Sequence, residues 1–179
     1  MNIQLKKLGL SEEEMKDLEN RGFGIPKKMQ KTMLEMYSIA LPLDEQENYL
    51  FKQFDVPKDY KEFLLKSNGG IPVENVFKTI NNERVVNCFL ALMAPRGFED
   101  SIGKYLEKYK YRIPENMLPI ASAGSSDLVL VGTNGLDGIY YWDHNLESDE
   151  DDASNYYENI EKVANGFSEF LHLLYDPEK

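Results

Sequence analysis

FDVPKDYKEFLLKSNGGIP, residues Phe54 to Pro72, is the stretch from which the fold is read. Pro57 opens a helix, since a proline at the first helical position loses no hydrogen bond that the helix would otherwise make. Tyr60, Phe63 and Leu64 follow at i, i+3 and i+4 spacing and form one apolar face. Lys66 falls in the last turn, where a cation favours the helix dipole. Asn68-Gly69-Gly70 then provides residues that adopt the left-handed conformation with which helices end. The segment predicts a short helix with a buried aromatic face, stopped abruptly.

Working toward the C-terminus, the period changes at Val73. Val76 to Ile80 and Val85 to Met93 predict strands, with Asn81-Asn82-Glu83 as the turn between them. Gly97 to Tyr111 returns to helical spacing through Ile102, Tyr105, Leu106 and Tyr109. Met117 to Ala121, Leu128 to Val131 and Ile139 to Trp142 predict three more strands, separated by the turns at Ala123 to Ser126 and Thr133 to Gly138. Ile160, Val163, Ala164, Phe167, Phe170, Leu171 and Leu174 keep a 3.6-residue period and predict one closing helix from Ile160 to Tyr175. Toward the N-terminus, Ser11 with Glu14 forms a capping box. Gly24-Ile25-Pro26 starts a second helix that Leu41-Pro42 breaks, and a short third helix runs from Glu45 to Phe54. The strands are joined mostly by turns too short for crossover helices. The expectation is an α+β fold: an antiparallel sheet with helices packed around it. Residues 1–53 form a helical N-terminal extension packed on the main domain, and residues 54–179 form that domain.

The charge is segregated. The 179-residue chain carries a net charge of −11, and its pI is near 4.7. From Ile113 to Glu161 there is no Lys or Arg but there are eleven acids, densest from Glu147 to Asp152; the other twenty acids match the twenty bases. The balance argues against direct binding to nucleic acid or an anionic membrane, both of which need a surplus of Lys and Arg. The acidic stretch is either a solvated loop or a surface for a basic partner, since clustered charge raises association rates. No apolar run reaches the ~18–20 residues of a membrane span. Met1 to Leu10 lacks the apolar region of a secretory signal. The expected location is the cytoplasm.

Catalytic patterns are sparse. His144 and His172 stand in no metal-binding spacing. Asp143, Asn145, Glu147, Asp149 and Asp151 alternate like a calcium loop, but Ser148 stands where such a loop needs Gly and Ser154 where it needs its bidentate Glu. Ser125 and Ser126 lack a nucleophile elbow, and no phosphate-cradling glycine loop is present. Cys88, the single cysteine, lies in an apolar strand and is more readily an inert buried thiol than a nucleophile. The expectation is no enzyme, no cofactor and no metal.

Tyr140, Tyr141 and Trp142 alternate across one strand, so one sheet face is core and the other lies under a helix or at the surface. Exposed, Tyr140 or Trp142 beside Asp143 would suit a binding hot spot; buried, they are core. The candidate partner-binding set is therefore Asp143, Glu147, Asp149, Glu150, Asp151 and Asp152, with Tyr140, Trp142, Tyr156 and Tyr157 as apolar anchors.

Taken in order, several segments resemble the SUKH superfamily, which includes fungal cell-wall-synthesis regulators and many bacterial immunity proteins. Val56-Pro57, Tyr60, Phe63, Leu64 and Asn68-Gly69-Gly70 fill its hallmark helix and turn. Leu118-Pro119-Ile120-Ala121, the turn at Gly124, Leu128 to Val131, Gly138 to Asp143 and Ala164-x-x-Phe167-x-x-Phe170-Leu171 are similar to its later segments. The match covers about Phe54 to Tyr175; the first ~50 residues depart from the shorter members. The resemblance implies a curved antiparallel sheet ringed by helices, no enzymatic activity, and a protein partner. For a bacterial immunity protein or antitoxin, that partner is a toxin, often a nuclease with a basic cleft. The alternative is a regulatory scaffold like the fungal relatives, with no toxin. Neither the toxin nor the oligomeric state can be read from the residues.

Overall fold

The computed structural model describes residues 3–40, 44–147 and 157–179. The quoted stretch forms α4 (Lys58–Ser67), capped by Pro57 and closed by Asn68 in the left-handed conformation, φ 50°. Tyr60, Phe63 and Leu64 are 0%, 6% and 0% exposed. Asn68 does more than turn the chain. Its amide donates to the Met93 carbonyl at 2.9 Å and accepts from the Met93 N–H at 2.8 Å, pinning a loop 25 residues away. Gly69 follows with φ 84°, and a Cβ there would lie 2.5 Å from the Phe89 carbonyl oxygen, so the position admits only glycine.

Six strands form one antiparallel meander: β3 (Val76–Lys78), β4 (Glu83–Phe89), β5 (Met117–Ala123), β6 (Asp127–Gly132), β7 (Ile139–Trp142) and β8 (Ile160–Ala164), neighbours in space as in sequence. Register shifts between Val86 and Cys88, Pro119 and Ala121, and Ile139 and Tyr140 bend the sheet. It curves almost to closure. Tyr175, just past α6 (Phe167–Leu173), pairs with Val76 through two backbone bonds of 3.0 and 2.9 Å. The free edge of β3 is thereby occupied. Outside the meander, α5 (Ile102–Lys108) is capped by Ser101.

Both sheet faces are covered. On one, Phe77, Val86, Leu118, Ile120, Val129, Val131, Ile139 and Tyr141 meet Tyr60, Phe63 and Leu64 of α4 and Phe167, Phe170 and Leu171 of α6. On the other, Met117, Leu128, Leu130 and Trp142 pack under Tyr109 and Ile113. The N-terminal region comprises β1 (Leu5–Lys6), α1 (Glu12–Asn20), α2 (Lys27–Tyr37) and α3 (Asp44–Gln53). It joins the larger core: β1 pairs with β2 (Ile71–Pro72), and Leu8, Met36 and Leu50 belong to the same buried cluster as Tyr60. The Ser11–Glu14 capping box forms as its sequence predicts. The expected helix break at Leu41-Pro42 lies outside the described residues.

The closing helix is shorter than its periodicity predicts. Ile160–Ala164 is a strand paired with β7, and only Phe167–Leu173 is helical. Asn165-Gly166 separates the two, with Gly166 extended at φ −162°, ψ 168°. β-branched Ile160 and Val163 suit a strand, and pairing with β7 gives their backbone groups partners that a longer helix would have had to supply internally. The true helix start is fixed from afar: the Asp59 carboxylate accepts from the Ser168 N–H at 2.8 Å and its hydroxyl at 2.7 Å.

Candidate functional site

The β7 strand leads into a single 3-10 turn, His144–Leu146, at the start of the densest acidic run. Asp143 caps that turn, accepting from the Asn145 N–H at 2.9 Å. Its other oxygen pairs with Arg84 at 3.0 Å. It is buried, so it is a structural cap and not a free surface charge. Glu147 is also engaged: Arg112 grips it with two bonds, Nε to Oε1 at 2.7 Å and Nη2 to Oε2 at 2.6 Å. These bonds hold the Glu147 carboxyl below the usual carboxylate range and push the Arg112 guanidinium up. His144 Nδ1 lies 3.3 Å from both Glu147 Oε2 and Arg112 Nη2. Both counter-charges come from outside the base-free stretch, Arg84 from β4 and Arg112 from the chain after α5. No spacing in the sequence links them to their acids.

The aromatic residues divide. Trp142 is fully buried on the second sheet face. The Tyr109 ring meets it edge-on at 5.5 Å, and the Arg112 guanidinium lies 5.5 Å from its centroid. Trp142 is therefore core and offers no side chain to a partner, which corrects its candidacy as an anchor. The cause is the segment from Tyr109 to Ile113, which folds over that face. Tyr140 is half-buried and donates to the Asp137 carbonyl at 2.7 Å. Tyr157 is 55% exposed, its hydroxyl 3.2 Å from Asn116 Oδ1. Asp149, Glu150, Asp151, Asp152 and Tyr156 lie outside the described residues. The residues on either side of them, Glu147 and Tyr157, are both tied to one short segment, Arg112 to Asn116.

A second feature was not legible in the sequence. A cleft of about 480 Å³ opens between the N-terminal region, α5 and strands β4 to β6. In it, Cys88 Sγ is 3.3 Å from Ser122 Oγ, and the Tyr105 hydroxyl donates to Asp100 at 3.3 Å. Burial, helped by the Asp100 charge, pushes the Cys88 thiol up to about 11, and the same two causes push the Tyr105 phenol up. At neutral pH these groups hold their protons and donate hydrogen bonds; the thiol is not poised for attack. Neither histidine lines the cleft. Among the described residues, no three His, Cys, Asp or Glu side chains are gathered as a metal site, and no helix is long and apolar enough to cross a membrane.

Two comparisons bear on this architecture. The chain is 31% identical over 140 residues to the SPbeta prophage-derived uncharacterized protein YokK of Bacillus subtilis (strain 168), covering 68% of this chain and 67% of that protein. The SUKH family described as SMI1-KNR4 cell-wall matches residues 43–171, a span that takes in α3, α4, the whole meander and most of α6. A helix closed by Asn68-Gly69-Gly70, a curved antiparallel meander and a closing helix that completes the core are together the arrangement of this family, and the chain belongs to the SMI1-KNR4 cell-wall family of SUKH proteins.

Proposed function

We propose that this protein is a non-enzymatic binding protein of the cytoplasm, an immunity protein that neutralises a toxin bearing a basic surface. The observation that carries the reading is the charge distribution: the whole net charge of −11 arises from Ile113 to Glu161. Arg84 and Arg112 engage Asp143 and Glu147 there, which leaves the partner-binding role to Asp149, Glu150, Asp151 and Asp152. Tyr157 and Tyr140 are the neighbouring aromatic anchors. Family membership supports a protein partner, and the prophage derivation of the Bacillus relative fits a protein carried with the toxin it opposes.

The test uses the toxin-like domain encoded beside the gene, co-expressed with the chain. Wild type should protect the cells and bind the domain, with association slowing as salt rises past about 0.15 M, where the screening length is ~8 Å. Replacing Asp149, Glu150, Asp151 and Asp152 with Ser should slow association and leave the melting temperature unchanged. An unaltered rate at low salt would remove the acidic run from the interface, and failure to protect would remove the immunity role.

A further inference from the structure

A groove of about 440 Å³ runs between the end of α3, α5 and the segment that follows α5. Phe54, Leu106 and Met117 line it, and Tyr49 and Tyr111 stand among its lining 74% and 73% exposed. Large aromatic side chains this exposed beside an apolar depression mark contact surfaces more often than solvent-facing ornament. The remaining lining residue of interest is Gly103, the second residue of α5. Glycine is the poorest helix former after proline. A Cβ on Gly103 would meet nothing within 4 Å, and its φ lies outside the left-handed region. The fold gives no reason for a glycine there. A glycine keeps the wall low, which is what close approach of another chain requires.

The charge around the groove identifies what approaches. The wall from Tyr111 to Met117 carries Glu115, the first acid of the base-free stretch. The same wall holds both residues that flank 148–156, Glu147 through Arg112 and Tyr157 through Asn116. A cationic partner drawn to the acidic stretch is thus delivered to this wall. Lys110, a cation in the lining, rests over the Tyr111 ring at 5.0 Å. We infer that the groove seats a large apolar side chain presented by a basic segment of the partner protein, its backbone passing over Gly103. This deepens the proposed function and rests on it for the identity of the partner; the groove's chemistry is testable without that partner.

The probe is acetyl-Lys-Lys-Trp-Leu-Lys-Lys-amide, titrated into the ¹⁵N-labelled full chain and followed by amide shifts. The controls replace Trp-Leu with Ser-Ser, or every Lys with Glu. Saturable shifts are expected at Gly103, Leu106 and Tyr111, with each control binding at least about fivefold more weakly, since both the apolar anchor and the charge contribute. Gly103→Trp fills the groove and should abolish those shifts at an unchanged melting temperature. Should that variant not fold, Tyr49→Ala with Tyr111→Ala serves, both residues being exposed, and the same loss is expected. Equal affinity for the Ser-Ser control, shifts confined to other surfaces, or peptide binding that survives Gly103→Trp would each overturn the inference. Toxin protection separates it from the reading above: protection that survives Gly103→Trp overturns the groove alone. Groove binding by the peptide with no toxin protected against supports the groove and overturns immunity.

Discussion

Arg112→Ala tests how the site is held together. In the native protein the guanidinium makes two bonds to Glu147 and lies 4.7 Å from the Tyr109 ring centroid and 5.5 Å from that of Trp142. Hydrogen bonds to charged groups contribute about 1.5–3 kcal/mol each when sheltered. Here the side chains are 33% and 23% exposed, so solvent screening brings the pair to about 1–2 kcal/mol. The two ring contacts add about 0.5 kcal/mol each at this exposure. The expected loss is about 2–3 kcal/mol. Trp142 is the only tryptophan, so its fluorescence reports both global unfolding in urea and local opening in the native state. The urea midpoint should fall by about 1 M or more for a slope of 1–3 kcal/mol/M, and acrylamide should quench the native emission more efficiently. Arg112→Lys keeps the charge but loses the fork and should recover less than half of the loss. The pH dependence has a definite sign. Glu147 is depressed in the folded state by Arg112, so its contribution is complete above the ordinary carboxylate value of about 4.3 and is lost as pH falls through the lower folded value. The stability gap between wild type and Arg112→Ala should therefore be full at pH 7 and shrink below about pH 4. A change under about 0.5 kcal/mol with unaltered quenching would refute the account of Arg112 as the clamp over Trp142.

Three further outcomes are expected. Phe63→Ala, which removes a ring packed edge-on against Phe89 and Phe167 at 5.1 and 5.0 Å, should cost about 3–5 kcal/mol by urea denaturation; a loss below about 1 kcal/mol would contradict its place in the core. Gly69→Ala should cost at least about 2 kcal/mol, because the left-handed backbone and the Phe89 carbonyl 2.5 Å from the new Cβ act together. The Cys88 thiol, buried and raised to about 11, should react with a disulfide reagent at pH 7.5 roughly 100-fold more slowly in the native than in the urea-unfolded protein.

The parts of the fold that were legible in the sequence are those written in local chemistry. Pro57, the Tyr60–Phe63–Leu64 face and the Asn68-Gly69-Gly70 stop each act within one turn of helix, and the hairpin at Asn81-Asn82 is as local. Ile160 to Ala164 was misread because Ile160, Val163 and Ala164 satisfy a helical spacing by themselves, while their pairing with β7 depends on residues about twenty positions earlier. The site was legible only as charge. Asp143 and Glu147 look free in sequence because Arg84 and Arg112 lie 59 and 35 positions away. Trp142 was open to either fate until the chain after α5 was seen to cover it. The Cys88 cleft gathers residues from four separate segments, none with a recognisable motif.

The pairing of Tyr175 with Val76 has a consequence for synthesis. In a meander each hairpin forms from neighbouring residues as the polypeptide emerges, so five of the six strands can assemble in order on the ribosome. The first strand cannot be sealed until a residue nearly one hundred positions later has left the exit tunnel. Until then β3 presents an unpaired edge, the kind of edge that recruits strands from other molecules. Completion of the native state is thus tied to the end of translation, and clipping the chain before Tyr175 should yield a protein that keeps much of its sheet yet self-associates.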